Sequence, residues 1–163
     1  MELRSGHKEA KEAHDRARRQ ATIEFYTQTL ERRISWEESD LPYIRDAGAV
    51  ELMLKKLKEN PHSDESEKRK RQIRSYLGFW ELTAVAIIRE VFDDEIFRDM
   101  LETHFLLVEK HYHPFMVEAR EERGGDTGQL YMKMEELATK WRSLPPSEHR
   151  GIKKSLARDR SNK

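Results

Sequence analysis

The sequence predicts an all-α protein: a four- to five-helix bundle built around one central apolar helix at about 66–92. Three observations carry that expectation. The few glycines (7) and prolines (5) gather at places that read as boundaries, and long stretches between them repeat apolar residues at helical spacing. The one stretch that is apolar on most sides is long enough to require other helices around it. With 163 residues, 38% charged and 36% hydrophobic, the chain has material for one modest core, so a single domain over 1–147 is expected, followed by a basic segment at 148–163.

The first helix is expected over about 8–34. Ala10, Ala13, Ala17 and Ala21 trace a stripe that passes to Ile23, Tyr26, Leu30 and Ile34. Alanine buries little surface, whereas a fully buried Leu, Ile or Phe contributes roughly 1.5 to 3 kcal/mol. The 25–34 end should therefore anchor this helix, with its first half thin-cored and frayed. Residues 35–45 hold a proline and mixed polarity, which suits a connection with one helical turn and Trp36 folded back as a lid. A second, amphipathic helix at 46–59 places Val50, Met53, Leu54 and Leu57 on one face and mostly Glu51, Lys55, Lys56 and Lys58 on the other. Residues 60–67, with a proline and small polar residues, read as an exposed linker.

The third helix opens on a solvated basic run at 68–71 and then carries Ile73, Tyr76, Leu77, Phe79, Trp80, Leu82, Val85, Ile87, Ile88 and Val91. Asp93 and Asp94 supply a cap and first-turn negative charge for a fourth helix. Its apolar face runs from Ile96 and Phe97 to Tyr112. Pro114 removes a backbone donor, so this helix should kink or restart there, continue through Val117 and end at Gly124, Gly125 and Gly128. A fifth helix at 129–144 presents Leu130, Met134, Leu137 and Trp141 before Pro145 and Pro146 stop it. Beyond them only Ile152 and Leu156 are available for burial, so 148–163 is expected to be disordered or ordered by a partner.

The 31 basic and 31 acidic residues cancel, but not locally. Residues 75–125 sum to −6 and residues 148–163 to +4. The basic segment has the charge to meet phosphates or an acidic surface, and reads first as a solvating tail. No aromatic residue is interleaved in it for base stacking, so nucleic-acid binding is open but unsupported. The absence of cysteine excludes disulfides, thiolate metal sites and thiol nucleophiles. No uncharged run approaches the ~18 to 20 apolar residues of a membrane span, and the N-terminal residues lack the apolar core of a secretory signal. A cytoplasmic protein is expected.

Three stretches carry a family resemblance: RQATIEF at 19–25, YLGFWELTAVAIIREVFDDE at 76–95 and PFMVEAR at 114–120. Together they resemble an all-helical domain family of prokaryotes and phages whose function is uncharacterised, over roughly 18–142. Its pattern is a basic-Ala-Thr-x-x-Phe start, a Leu-Asn-x-x-Glu helix, an Asp-x-Glu turn and a closing arginine. Gly78 stands where that pattern has asparagine. Many members begin with a membrane-spanning helix, and no such apolar run occurs here. The resemblance implies the helical fold and no activity.

Glu81 matches the glutamate of that pattern and is the only charged residue between 75 and 88. Burial of a lone carboxylate is costly unless it is paired. Arg120, at the closing arginine, is its expected partner, with Arg19 second, since a guanidinium satisfies a carboxylate with two prongs. A buried pair fixing helix register is favoured over a catalytic glutamate.

Arg98 and His104 resemble the Arg-polar-x-x-x-x-His motif of HEPN ribonucleases, in which the histidine would act as acid or base and the arginine would hold the scissile phosphate. Composition alone predicts about two such spacings by chance, and two occur, Arg98 with His104 and Arg142 with His149. Six positions also advance a helix by ~600°, leaving the two side chains ~120° apart. His104 and His111 share a face with Leu101 and Val108, so hydrogen-bonded histidines are expected rather than metal ligands. The Glu-x-x-His spacing of bundle metal sites occurs only at Glu59 and His62, across a proline. RGGDTGQ at 123–129 lacks the lysine and hydroxyl of a phosphate loop. No metal or cofactor is expected.

The functional expectation is a non-enzymatic module that binds another protein, with Trp36 and Trp141 as exposed interface residues and self-association as a further expectation. The alternative is a HEPN-like ribonuclease or toxin using Arg98 and His104.

Overall fold

The computed structural model describes residues 2–36, 41–122 and 129–145, with side chains from residue 7 onward. Five helices follow one another: α1 (Glu2–Ser35), α2 (Ala47–Glu59), α3 (Asp64–Ile88), α4 (Asp94–Glu122) and α5 (Met132–Ser143). Among the described residues there is no strand. The expected segment 148–163 and the glycines at 124, 125 and 128 lie outside the described residues.

α3 is the central element. Ile73, Tyr76, Leu77, Trp80, Ala84 and Ile87 are buried along it, packed on α2, α4 and most extensively α5. It is not enclosed on every side, however. Leu82 is 71% exposed, so the expectation of a fully surrounded helix is corrected. α3 also starts earlier than its apolar pattern indicates. Ser63 caps it by accepting from the Ser66 N–H at 3.2 Å, and Asp64, Glu65 and Glu67 fill the first turn, where the helix dipole favours negative charge. This offsets the basic run that follows. Within that run Lys70 is buried rather than solvated, its ammonium donating to the Pro61 carbonyl and to Glu67.

α4 runs unbroken through Pro114. The proline is exposed, so the lost backbone bond lies on the solvent side, where its carbonyl partner remains hydrated.

α1 departs furthest from the expected packing. Residues 7–14 are all exposed. The buried line runs through Thr22, Arg33 and Trp36, with Phe25 and Tyr26 packed partly against the core. Ile23, Leu30 and Ile34, expected inside, are 48%, 39% and 41% exposed. The helix is anchored by its second half, through Phe25, whose ring stacks on Phe79 and packs at a tilt against Phe92 and Phe97.

Candidate functional site

Two of the three stretches that carry the family resemblance meet at the turn at 89–93. Thr22 on α1 is fully buried, and its hydroxyl accepts the Asp93 N–H at 2.7 Å while donating to the Arg18 carbonyl at 2.8 Å. The Asp93 carboxylate caps α4 by accepting from the Ile96 N–H at 3.1 Å. Its other oxygen faces Arg18 and Arg19 at 3.5 and 3.6 Å. The next residue, Asp94, accepts the Trp141 indole N–H at 2.7 Å and pairs with Lys140. Two adjacent aspartates therefore tie α1 and α5 to the start of α4. The sequence marked Asp93 as a cap but not the Thr22 contact, because a threonine in a helix interior has no pattern that reveals a partner 71 positions away.

Glu81 does not pair with Arg120. Its two carboxylate oxygens accept the backbone N–H groups of Lys133 and Met134 at 3.1 and 2.8 Å, so Glu81 caps α5. Burial pushes its pKa above the ordinary carboxylate value, opposed by those two bonds and by the charges of Lys133 and Arg120. Arg120 instead donates to the Leu130 carbonyl at 2.8 Å and pairs with Glu135. Both side chains thus hold the start of α5.

Trp36 and Trp141 are not surface residues. They are 8% and 1% exposed. Trp36 meets Tyr76 and Phe79 edge-on with Arg32 over its outer face, and Trp141 packs on Phe105. Their size made them attractive as interface anchors, but each packs against aromatic rings of the core instead.

Arg98 and His104 point to different surroundings. Arg98 pairs with Glu102 at 2.8 Å and donates to the Pro145 carbonyl. His104 turns inward, with Nε2 3.0 Å from the Tyr76 hydroxyl and its ring 5.3 Å from that of Trp80. Burial, with Arg33 and Arg45 nearby, lowers its pKa to about 4, so the imidazole is neutral near neutral pH. Among the described residues no three His, Asp or Glu side chains group as metal ligands.

The described residues form several concave regions, and two of them bear on function. A cleft of about 700 Å³ lies beside the 89–93 turn, walled by Arg18, Arg19, Asp93, Glu95, Arg98 and Lys140. Most of those charges are already paired with one another or with neighbours. The second is a groove of about 510 Å³ between α2 and the start of α3, lined by Leu41, Pro42, Leu52, Met53 and Leu57 together with the charged Lys56, Glu65 and Arg69. Leu52 is 53% exposed. It lies off the face formed by Val50, Met53, Leu54 and Leu57, which is why the amphipathic pattern did not single it out.

No curated protein and no solved structure matches the chain significantly. No helix among the described residues is long and apolar enough to cross a membrane. The family model described as Domain of unknown function (DUF4760) matches residues 4–141, and the chain belongs to that family.

Proposed function

We propose that the chain is a non-catalytic interaction module that holds a segment of another protein in the groove between α2 and α3. The observation that carries this reading is the groove itself: open leucine and methionine surface lined also by two cationic side chains, Lys56 and Arg69, and one acidic one, Glu65. Apolar anchors of a partner helix or strand fit such a groove, and Met53 adapts its shape to them. Lys56 and Arg69 favour a partner segment with acidic flanks. Arg69 already meets Glu65 at 3.3 Å, an exposed pair of low worth that a partner carboxylate can replace. The separate surroundings of Arg98 and His104 favour this reading over a ribonuclease. From the resemblance to a family of bacteria and phages, we extend the proposal to an accessory or inhibitory subunit in conflict between the two.

The test is purification of the full chain from its native cells, with the mass of the intact complex measured, followed by the same experiment with Leu52→Asp. The exposed position leaves the fold unchanged by circular dichroism, and binding of the identified partner falls by about tenfold or more. A complex that survives Leu52→Asp overturns the groove. RNA cleavage that disappears with His104→Ala overturns the non-catalytic reading.

A further inference from the structure

The chain leaves α5 at the rim of a cleft whose charges do not balance. Arg98 donates to the Pro145 carbonyl, and Leu144 and Pro145 both line the cleft of about 700 Å³ beside the 89–93 turn. Ile87, Ile88 and Phe92 give it an apolar floor, with Ile88 and Phe92 only partly buried and Leu144 39% exposed above them. The four cations around this floor are engaged: Arg18 and Arg19 by Asp93, Arg98 by Glu102, and Lys140 by Asp94. Glu90, Glu95 and Asp99 line the cleft as well and are exposed. Their carboxylates make no hydrogen bond or ion pair among the described residues. The cleft therefore offers apolar surface together with three unspent negative charges.

We propose that the basic segment following Pro145, residues 146–163, folds back into this cleft of its own chain. Ile152 and Leu156 cover the apolar floor, and the segment's cations meet Glu90, Glu95 and Asp99. Charge selects the occupant, since residues 148–163 sum to +4. The segment also has the matching apolar residues: Ile152 and Leu156, four apart, share a helical face with Arg160, and Lys153 flanks them. Reach permits the contact. Ile152 is seven residues past Pro145, so it lies within about 25 Å of the rim even if the intervening chain is extended. Tethering then supplies an effective concentration in the millimolar range, so a contact with a Kd of about 1 mM between separate molecules is half formed within one chain. Leu144 lines a second hollow, between α4 and α5, but Lys110 and Arg142 line that one and its single carboxylate, Glu102, already holds Arg98. A basic segment is repelled there and attracted to the cleft. The inference stands apart from the α2–α3 groove, which lies at the other end of α3.

Amide hydrogen exchange of the full chain, read by mass spectrometry, tests the contact. At about 20 mM salt, residues 150–158 are expected to exchange about fivefold more slowly than an unstructured peptide, and at about 500 mM salt the difference shrinks below about twofold as the charges are screened. Leu156→Asp in the segment and Asp99→Lys in the cleft each abolish most of the protection, with exchange in the core of α3 unchanged. The sequence has no cysteine, so a nitroxide on Ser155→Cys is a single label, expected to broaden the amide signals of residues 90–99 and not those of α2. Equal protection at about 1 and about 100 micromolar protein, both far below the effective concentration of the tether, marks a contact within one chain. Protection that grows over that range overturns the proposal in favour of a second copy. Exchange at the rate of an unstructured peptide also overturns it, as does protection that Asp99→Lys leaves intact or a label that broadens α2 instead.

Discussion

Glu81 supplies from α3 what α5 lacks in its own sequence. The residue at the start of α5 is Tyr131, in the left-handed conformation at φ 62° with no side-chain cap. A tyrosine there offers no short acceptor to the first N–H groups, which a serine or aspartate ordinarily would. The Glu81 carboxylate reaches two of them from outside the helix, and Arg120 fixes the adjoining Leu130 carbonyl. Glu81→Ala leaves both donors without a protein acceptor and is expected to cost about 1 to 2 kcal/mol, read as a lower urea midpoint at unchanged slope. Glu81→Gln keeps one acceptor oxygen and is expected to cost about half as much. The need of Glu81 for a partner was legible in the sequence, because a lone charge in an apolar stretch stands out. The identity of the partner was not, because every residue except proline carries a backbone N–H and none advertises it.

α3 illustrates what periodicity reveals and what it leaves open. Its apolar content identified the central helix, and its boundaries moved by only a few residues once Ser63 proved to be the cap. The number and order of helices were likewise readable, since each break carries proline, glycine or a capping residue. Which side of a helix faces inward was less so: α1 has two stripes of comparable hydrophobicity, and the larger residues Ile23, Leu30 and Ile34 lie on the outer one. Thr22 holds the inner face because its hydroxyl is satisfied there at both ends, an advantage that no hydropathy scale records. Gly78 sits mid-helix on the open side of α3, with nothing within 4 Å of the position a Cβ would take. Glycine in a helix interior costs roughly 0.5 to 1 kcal/mol relative to alanine. Gly78→Ala is therefore expected to stabilise the protein by that amount, seen as a melting temperature higher by about 1 to 4 degrees. A loss of stability instead would mean that this side of α3 is covered by something other than solvent.

The stability of the whole bundle has a pH dependence to which one core residue, His104, contributes on the acid side. His104 joins α4 to α3 through the Tyr76 hydroxyl and is flanked by Arg33 from α1, Arg45 from the 41–46 segment and the Trp80 ring. Burial first, and then the two arginines, hold its pKa at about 4 against an ordinary 6.5. The unfolded chain therefore binds a proton between those values that the folded chain refuses, and stability rises with pH over that interval. Above pH 6.5 the histidine is neutral in both states and costs nothing. As pH falls from about 6.5 to about 4 the protein loses roughly 3 kcal/mol from this site, at 1.36 kcal/mol per unit, a large share of the 5 to 15 kcal/mol typical of a domain. Carboxylates add their own acid losses, so the informative quantity is a difference between two proteins. His104→Gln keeps an amide to bond the Tyr76 hydroxyl and removes the titration. Urea unfolding of both from pH 7 to pH 4 should show the unsubstituted protein losing about 3 kcal/mol more than the variant, with most of the divergence below pH 6. Parallel curves would mean that His104 accepts its proton without leaving the core, and that the cations around it are too well solvated to oppose it.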